Sequence, residues 1–330
     1  MATLYLTEQG SILRKTSDRL VVSKKGEVLA EIPCAKLETI FLYGAVQVTS
    51  QALAELLDQG IELALFTLKG RLRGQLTPPK AKNIPLRMMQ YELARAPESC
   101  LVRARELVAT KIRNSAGVLR RLRTNRPDAI PLPPIQELEA QAERVSAVAS
   151  LDELRGMEGS AAARYFSALA GAVPADAGFT GRNRRPPRDP LNALLSFGYV
   201  LVANELQSLL DGMGFDPYLG FYHQPDYGRP SLALDLLEEL RAPLVDRFSV
   251  NLLARRQLIP GDFLHTPEKG CLLDRGPLRK YFAAYEEEMA RVISVDGESL
   301  TFRQVFRRHA ESLARSLMDG EPYRSFRWPV

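Results

Sequence analysis

Thr77-Pro78-Pro79-Lys80-Ala81-Lys82-Asn83-Ile84-Pro85-Leu86 divides this chain into two textures. Adjacent prolines carry no N–H and fix φ, so neither a strand ladder nor a helix runs through them. Upstream, short runs of mixed apolar and polar residues at 3–7, 11–15, 20–23, 28–32, 36–43, 45–49, 62–68 and 71–76 read as strands. Gly10, Ser17-Asp18, Lys25-Gly26, Gly44 and Gly70 part them, which suits tight hairpins. Ser50 reads as the N-cap of a helix over 51–58 that Gly60 closes. Downstream, apolar residues recur at helical spacing almost everywhere. One long helix or a pair is expected over 86–122, then helices over 135–148, 151–171, 191–213, 231–241, 244–257, 276–294 and 301–318. Arg126-Pro127 through Pro133-Pro134 is a proline-rich break, and 172–190 and 214–230 are loops. The expected fold is α+β: a small N-terminal β domain over 1–83, then a larger all-helical domain over 84–330.

Composition narrows the class. With 330 residues, 45% hydrophobic and 25% charged, the chain is ordinary globular material, which excludes disordered, collagen-like and coiled-coil classes. Cys34, Cys100 and Cys271 are too few and too far apart for a disulfide framework or a CxxC zinc site, and suit a reducing compartment. The N-terminal Met1-Ala2-Thr3-Leu4-Tyr5 has no secretory character, and the longest charge-free apolar stretch, 191–203, is too short to span a bilayer. A cytoplasmic protein with no membrane partner is expected. A net charge of +5 leans toward an acidic partner such as nucleic acid.

Chemistry concentrates around His223, one of three histidines. It lies in the loop Gly220-Phe221-Tyr222-His223-Gln224-Pro225. The next helix reads Ser231-Leu232-Ala233-Leu234-Asp235-Leu236-Leu237-Glu238-Glu239-Leu240-Arg241. On a helical wheel the leucines share one arc, and Asp235, Glu238 and Glu239 cluster opposite, Asp235 and Glu238 one turn apart. Such a stripe is either a solvated face or a divalent-metal site with His223 delivered by the loop. Glu158 lies in Gly156-Met157-Glu158-Gly159-Ser160-Ala161-Ala162-Ala163-Arg164-Tyr165-Phe166, where small neighbours permit close approach. Tyr165, seven residues on, points to nearly the same side. A Glu, a His and an acid pair form a carboxylate–imidazole set suited to Mn²⁺ or Mg²⁺.

Two basic segments complete the pattern. Arg182, Arg184, Arg185 and Arg188 crowd a proline-stiffened loop, and guanidinium forks match phosphate oxygens. Lys111, Arg113, Arg120, Arg121, Arg123 and Arg126 add charge with no acid among them. Both read either as phosphate contacts or as solvated faces.

These segments together resemble a known family. They are Met157-Glu158-Gly159-Ser160-Ala161-Ala162-Ala163-Arg164-Tyr165-Phe166, the Arg-Arg-Pro-Pro-Arg-Asp-Pro-Leu-Asn-Ala-Leu-Leu-Ser-Phe-Gly-Tyr run at 184–199, His223, and the helix at 231–241. Gly-Arg-Leu-Arg-Gly at 70–74 and Leu-Arg-Met-Met-Gln-Tyr at 86–91 also fit. The chain resembles, over nearly its whole length, the CRISPR-associated integrase-endonucleases that insert new spacers into the CRISPR array. The resemblance implies a β domain that dimerises, a helical catalytic domain, and a Mg²⁺ or Mn²⁺ site. It assigns the metal and the catalysis to Glu158, His223 and Glu238, with Asp235 a further acid near the metal. It implies double-stranded DNA as substrate, both spacer precursor and repeat-leader DNA. It also implies a homodimer and a small ferredoxin-like CRISPR-associated partner protein, the two forming a heterohexamer. Tyr165 and the four arginines would position DNA. Two rival functions fit the same residues: a metal-dependent nuclease for branched DNA in repair, and a non-catalytic DNA-binding scaffold.

Overall fold

In the computed structural model, residues 2–67, 72–76, 83–183, 185–268 and 270–329 are described. The chain divides into two compact units, 1–82 and 83–330. Gly70, the Thr77-Pro78-Pro79 boundary and Arg184 lie outside the described residues.

The first unit begins with β1 (Ala2–Leu6), β2 (Ile12–Thr16), β3 (Arg19–Lys24), β4 (Glu27–Pro33), β5 (Leu37–Tyr43) and β6 (Gln47–Val48). Helix α1 (Ser50–Asp58), β7 (Glu62–Phe66) and β8 (Leu72–Leu76) complete it. Two four-stranded sheets result, ordered β4-β3-β2-β6 and β1-β5-β7-β8. Lys25 and Gly26 take φ of 51° and 87°, the mirror-image turn that matches strand twist, and so close the β3–β4 hairpin. The N-cap of α1 is Thr49, not Ser50: the Thr49 hydroxyl accepts Ala52 N–H at 3.3 Å. Leu13, Leu20, Ile40, Leu42, Leu56 and Leu63 form the unit's core.

The second unit carries α2 (Ile84–Arg95), α3 (Pro97–Asn125), α4 (Leu132–Arg144), α5 (Leu151–Leu169) and α6 (Pro190–Met213). Then follow α7 (Ser231–Leu240), a π-helical turn over Arg241–Asp246, and α8 (Arg247–Ala254). Hairpin β9 (Phe263–Thr266) and β10 (Gly270–Leu273), α9 (Arg275–Ala290), hairpin β11 (Val292–Val295) and β12 (Glu298–Thr301), and α10 (Phe302–Met318) complete it. The architecture is α+β as expected, with the second unit mostly rather than wholly helical. The helix expected over 276–294 stops at Ala290, because Asp296-Gly297, at φ of 50° and 83°, turns the chain into a hairpin. The 86–122 segment is a pair of helices: Pro97 forces Ala96 into extended backbone at ψ 110°. Helix α4 starts earlier than expected, because Pro133 and Pro134 sit in its first turn, where N–H groups lack partners anyway. The helix at 231–241 does not stop short of Pro243; the wider π turn carries the chain through it.

Helix α3 runs through the unit's interior and packs against α4, α5 and α7. Helix α6 is long and apolar enough to cross a bilayer by length and composition, and it is mostly buried within the unit.

Candidate metal and nucleic-acid site

The acidic arc of α7 is not a solvated face. Asp235, Glu238 and Glu239 are 1%, 3% and 1% exposed. Each carboxylate meets a different set of partners.

Asp235 anchors the His223 loop. Its Oδ2 accepts N–H from Phe221 at 2.6 Å and Tyr222 at 3.0 Å. Its Oδ1 accepts His223 N–H at 2.8 Å and faces His223 Nδ1 at 2.7 Å. Gly220 is required by this approach, since a Cβ there would stand 2.7 Å from Asp235 Oδ2 and 2.9 Å from Ser231 C. With Nδ1 held against Asp235, the His223 ring turns Nε2 toward the cleft. That nitrogen lies 3.6 Å from Glu238 Oε1.

Glu238 faces cations. Arg241, three residues on, donates Nε to Glu238 Oε1 at 3.0 Å. Lys111 Nζ, from α3, stands 2.5 Å from Glu238 Oε2 and also pairs with Glu158 Oε1 from α5. Burial works to raise the Glu238 carboxyl, and the charges of Arg241, Lys111 and His223 overcome it, holding the group well below the usual carboxylate range. Glu239 instead accepts Tyr323 Oη at 2.5 Å and Phe326 N–H at 2.6 Å.

Glu158, His223 and Glu238, from α5, a loop and α7, thus border one cleft: Lys111 pairs with both glutamates, and His223 Nε2 lies beside Glu238. This open cleft of about 950 Å³ is lined also by Lys111, Arg185 and Tyr227. Among the described residues, no three His, Cys, Asp or Glu side chains stand close enough to hold a metal as they are. The Lys111 ammonium stands between Glu158 and Glu238 and pairs with both. Two carboxylates gathered around one positive group, with an imidazole acceptor beside them, are a fitting donor set for Mg²⁺ or Mn²⁺.

Other expected site residues are placed elsewhere. Tyr165 is 3% exposed and packs edge-on to Phe166, so it faces no surface duplex. Its hydroxyl, like that of Tyr199, belongs to the surroundings of Asp246. Tyr199 Oη donates to Asp246 Oδ1 at 2.5 Å. Burial raises Asp246 to about 6, against the Tyr199 hydrogen bond, the nearby Tyr165 hydroxyl and the charges of Arg241 and Arg182. This cluster borders a cavity of about 40 Å³ that also reaches Lys111 and Glu158.

The arginine loop splits. Arg182 turns inward, bonding Asn192 Oδ1 at 2.8 Å and Ser196 Oγ at 3.2 Å, with its guanidinium 5.5 Å from the Tyr199 ring centre. Arg185 and Arg188 are exposed. Asn192 fixes the loop by accepting Asn183 N–H at 3.0 Å and donating to Gly181 O at 2.8 Å, and Cys271 N–H pins Pro187 O at 2.7 Å. Four of the arginines expected at phosphates have partners within the protein. Arg113 pairs with Glu143, Arg120 with Glu139, and Arg123 and Arg126 donate to the carbonyls of Pro127 and Ala172. They brace α3 against its neighbours.

Sequence reading gave Lys111 only as a candidate phosphate contact, not as a partner of the acids, and left Arg241 out of the site. Arg241 had a signal, its i,i+3 spacing from Glu238. Lys111 had none, because its partners are brought to it only by the packing of α3 against α5 and α7.

A family model for CRISPR associated protein Cas1 matches residues 4–287. The CRISPR-associated endonuclease Cas1 2 of Rhodospirillum rubrum is 35% identical over 298 residues, covering 86% of this chain and 85% of that protein. A Cas4 exonuclease/Cas1 endonuclease fusion of Geobacter sulfurreducens is 32% identical over 97% of this chain, which spans 59% of the fusion's length. Among solved structures, a casposase bound to its integration product superposes with a TM-score of 0.87 at 23% identity, covering 100% of this chain and 94% of that one. A chain of a Cas6-RT-Cas1–Cas2 complex gives a TM-score of 0.79 at 25% identity, covering 97% of this chain and 35% of that one.

Proposed function

The chain belongs to the Cas1 family of CRISPR-associated proteins, and from this premise we propose that it is a spacer integrase of that family, a divalent-metal-dependent DNA endonuclease and integrase at Glu158, His223 and Glu238. The observation that carries the site is the gathering of Glu158 and Glu238 around one cation, with His223 Nε2 3.6 Å from Glu238. Glu158, His223 and Glu238 would hold Mg²⁺ or Mn²⁺. When bound, the ion supplies Lewis-acid polarisation of a phosphate and eases ionisation of the attacking hydroxyl.

The reaction is an in-line exchange of phosphodiester bonds. A DNA 3′-hydroxyl loses its proton and its oxygen forms a bond to phosphorus, while the bond to the original 3′ oxygen breaks and that oxygen takes up a proton. Water as nucleophile gives plain strand cleavage. No covalent enzyme intermediate forms. Asp235 holds the His223 ring in the tautomer that leaves Nε2 free, and Arg241 fixes the Glu238 carboxylate. Lys111, Arg185 and Arg188 supply positive charge to phosphate oxygens. Double-stranded DNA, a second copy of this chain and a small ferredoxin-like partner make up the assembly. The casposase seated on its integration product and the Cas1–Cas2 complexes support DNA and protein partners for this fold.

Strand transfer tests the reading. Purified chain, partner protein, a duplex with free 3′-hydroxyls and a plasmid bearing a repeat should yield full-site integration products with Mn²⁺ and none with EDTA. Flap or junction cutting without integration identifies the branched-DNA nuclease instead. DNA binding with no metal-dependent chemistry identifies the scaffold.

A further inference from the structure

Glu239, the neighbour of Glu238, has its carboxylate satisfied by a segment from the far end of the chain. Besides the Tyr323 and Phe326 bonds, His309 Nδ1 from α10 stands 3.3 Å from Glu239 Oε2. The same segment is stitched to α3 at Asn114, one turn beyond Lys111. Asn114 Nδ2 donates to Glu239 O and to Phe326 O, both at 2.8 Å, and its Oδ1 accepts Trp328 N–H at 2.8 Å. Asn114 is 2% exposed. The Trp328 ring stacks on Phe302 at 6.2 Å and 5°, under the Arg247 guanidinium at 5.1 Å. The family model's match ends at residue 287, ahead of this segment.

We propose that Tyr323–Trp328 is a strap that positions the site, acting through Glu239 and Asn114 to fix α7 against α3. These two helices carry Glu238 and Lys111. The physical reason is the cost of a buried carboxylate with no donors. Without the strap, Glu239 has lost both of its strong donors and α7 is driven to rotate toward water. A rotation of α7 carries Glu238 away from Glu158 and Lys111. The strap residues touch no reacting atom; they are positioning residues. The inference rests on the functional reading above for what the site does.

Trp328 is the chain's one tryptophan, so its fluorescence reports the strap directly. The test compares full-length wild type with Tyr323→Phe, and with Glu239→Gln as a second route to the same contact. Four quantities are read: acrylamide quenching of Trp328, half-saturating Mn²⁺, DNA affinity, and kcat for strand cleavage at saturating DNA. Tyr323→Phe should raise quenching about twofold, raise half-saturating Mn²⁺ about fivefold and lower kcat about tenfold, with DNA affinity within twofold of wild type. A loosened Trp328 with wild-type kcat and Mn²⁺ response overturns the strap, as does a loss confined to DNA affinity. Should Glu239→Gln fail to fold, Tyr323→Phe decides alone, since it deletes one hydroxyl. Absence of metal-dependent cleavage by wild type refutes the functional reading instead, and the strap is then judged by Mn²⁺ binding, which Tyr323→Phe must still weaken.

Discussion

Lys111→Ala strips Glu158 and Glu238 of the ammonium they share. Removing one partner of a buried ion pair costs about 3–5 kcal/mol, because the remaining charge stays buried. The Lys111 and Glu158 side chains are 15% and 19% exposed, and Arg241 still faces Glu238, so water and the guanidinium take up part of the loss. A cost of about 2–3 kcal/mol follows, which for a unit of this size lowers Tm by about 5–10 °C. A dication at the vacated point reverses the deficit, and at one hundred times its Kd contributes about 2.7 kcal/mol. In wild type the ion must first displace the ammonium, so its net effect is smaller. Thermal melts in EDTA and in saturating Mn²⁺ therefore make a four-way comparison. Lys111→Ala should melt below wild type in EDTA and gain more from Mn²⁺. Lys111→Met keeps most of the apolar stem and controls for lost packing. Equal melting in EDTA, or equal Mn²⁺ increments, refutes the view that Lys111 stands in a cation's place.

Glu158→Ala, His223→Ala and Glu238→Ala should each abolish cleavage and integration with a cooperative melt retained; near wild-type turnover in all three places the site elsewhere. Asp235→Asn aims an amide N–H₂ at backbone donors and should cost about 2–4 kcal/mol by chemical denaturation, with cleavage lowered but not abolished; a chain as stable as wild type means the His223 loop is held otherwise. Asp246 keeps its proton to about pH 6 when folded and to 3.8 by its ordinary value, so its contribution is full below 3.8 and is lost as pH rises through about 6. That loss is about 3 kcal/mol, so Asp246→Asn should gain on wild type in Tm between pH 4.5 and 7, and parallel curves count against it. Arg185→Ala and Arg188→Ala should each lower the slope of log affinity against log salt by about one, alike for unrelated sequences, while Arg182→Ala leaves the slope unchanged and lowers Tm; filter binding at three salt concentrations decides it.

Much of the fold was legible because its signals are local. Lys25-Gly26 announces a hairpin, and the helical apolar period over 191–213 announces α6. Asp296-Gly297 carries the same hairpin signal and was overrun by the helical period of the residues before it. The candidate residues of the cleft stood out in the sequence, and the residues that support them did not. Glu158, His223 and Glu238 sit in recognisable contexts, whereas Lys111, Asn114 and Tyr323 acquire their roles only when distant segments pack. Arg113, Arg120 and Arg123 stayed open between two readings for the same reason: a basic helix face looks alike whether its charges reach phosphate or pair within the protein.

The three acids of α7 show how packing assigns roles that spacing leaves open. A wheel puts Asp235, Glu238 and Glu239 on one arc, and all three lose water on folding, so each needs compensation. An ionised carboxylate accepts at about four lone-pair positions. Asp235 fills four with three backbone N–H groups and an imidazole, none of which can leave without unravelling the His223 loop. Glu239 is filled by Tyr323 and a backbone N–H, equally fixed. Glu238 alone of the three is balanced by the ends of two long, flexible side chains, Lys111 and Arg241. A lysine ammonium is a compact charge on a mobile stem, the kind of partner a dication can replace without disturbing the backbone. Of the three acids, Glu238 is therefore the one whose partners a cation could replace without disturbing the backbone, whereas Asp235 is committed to holding the His223 loop.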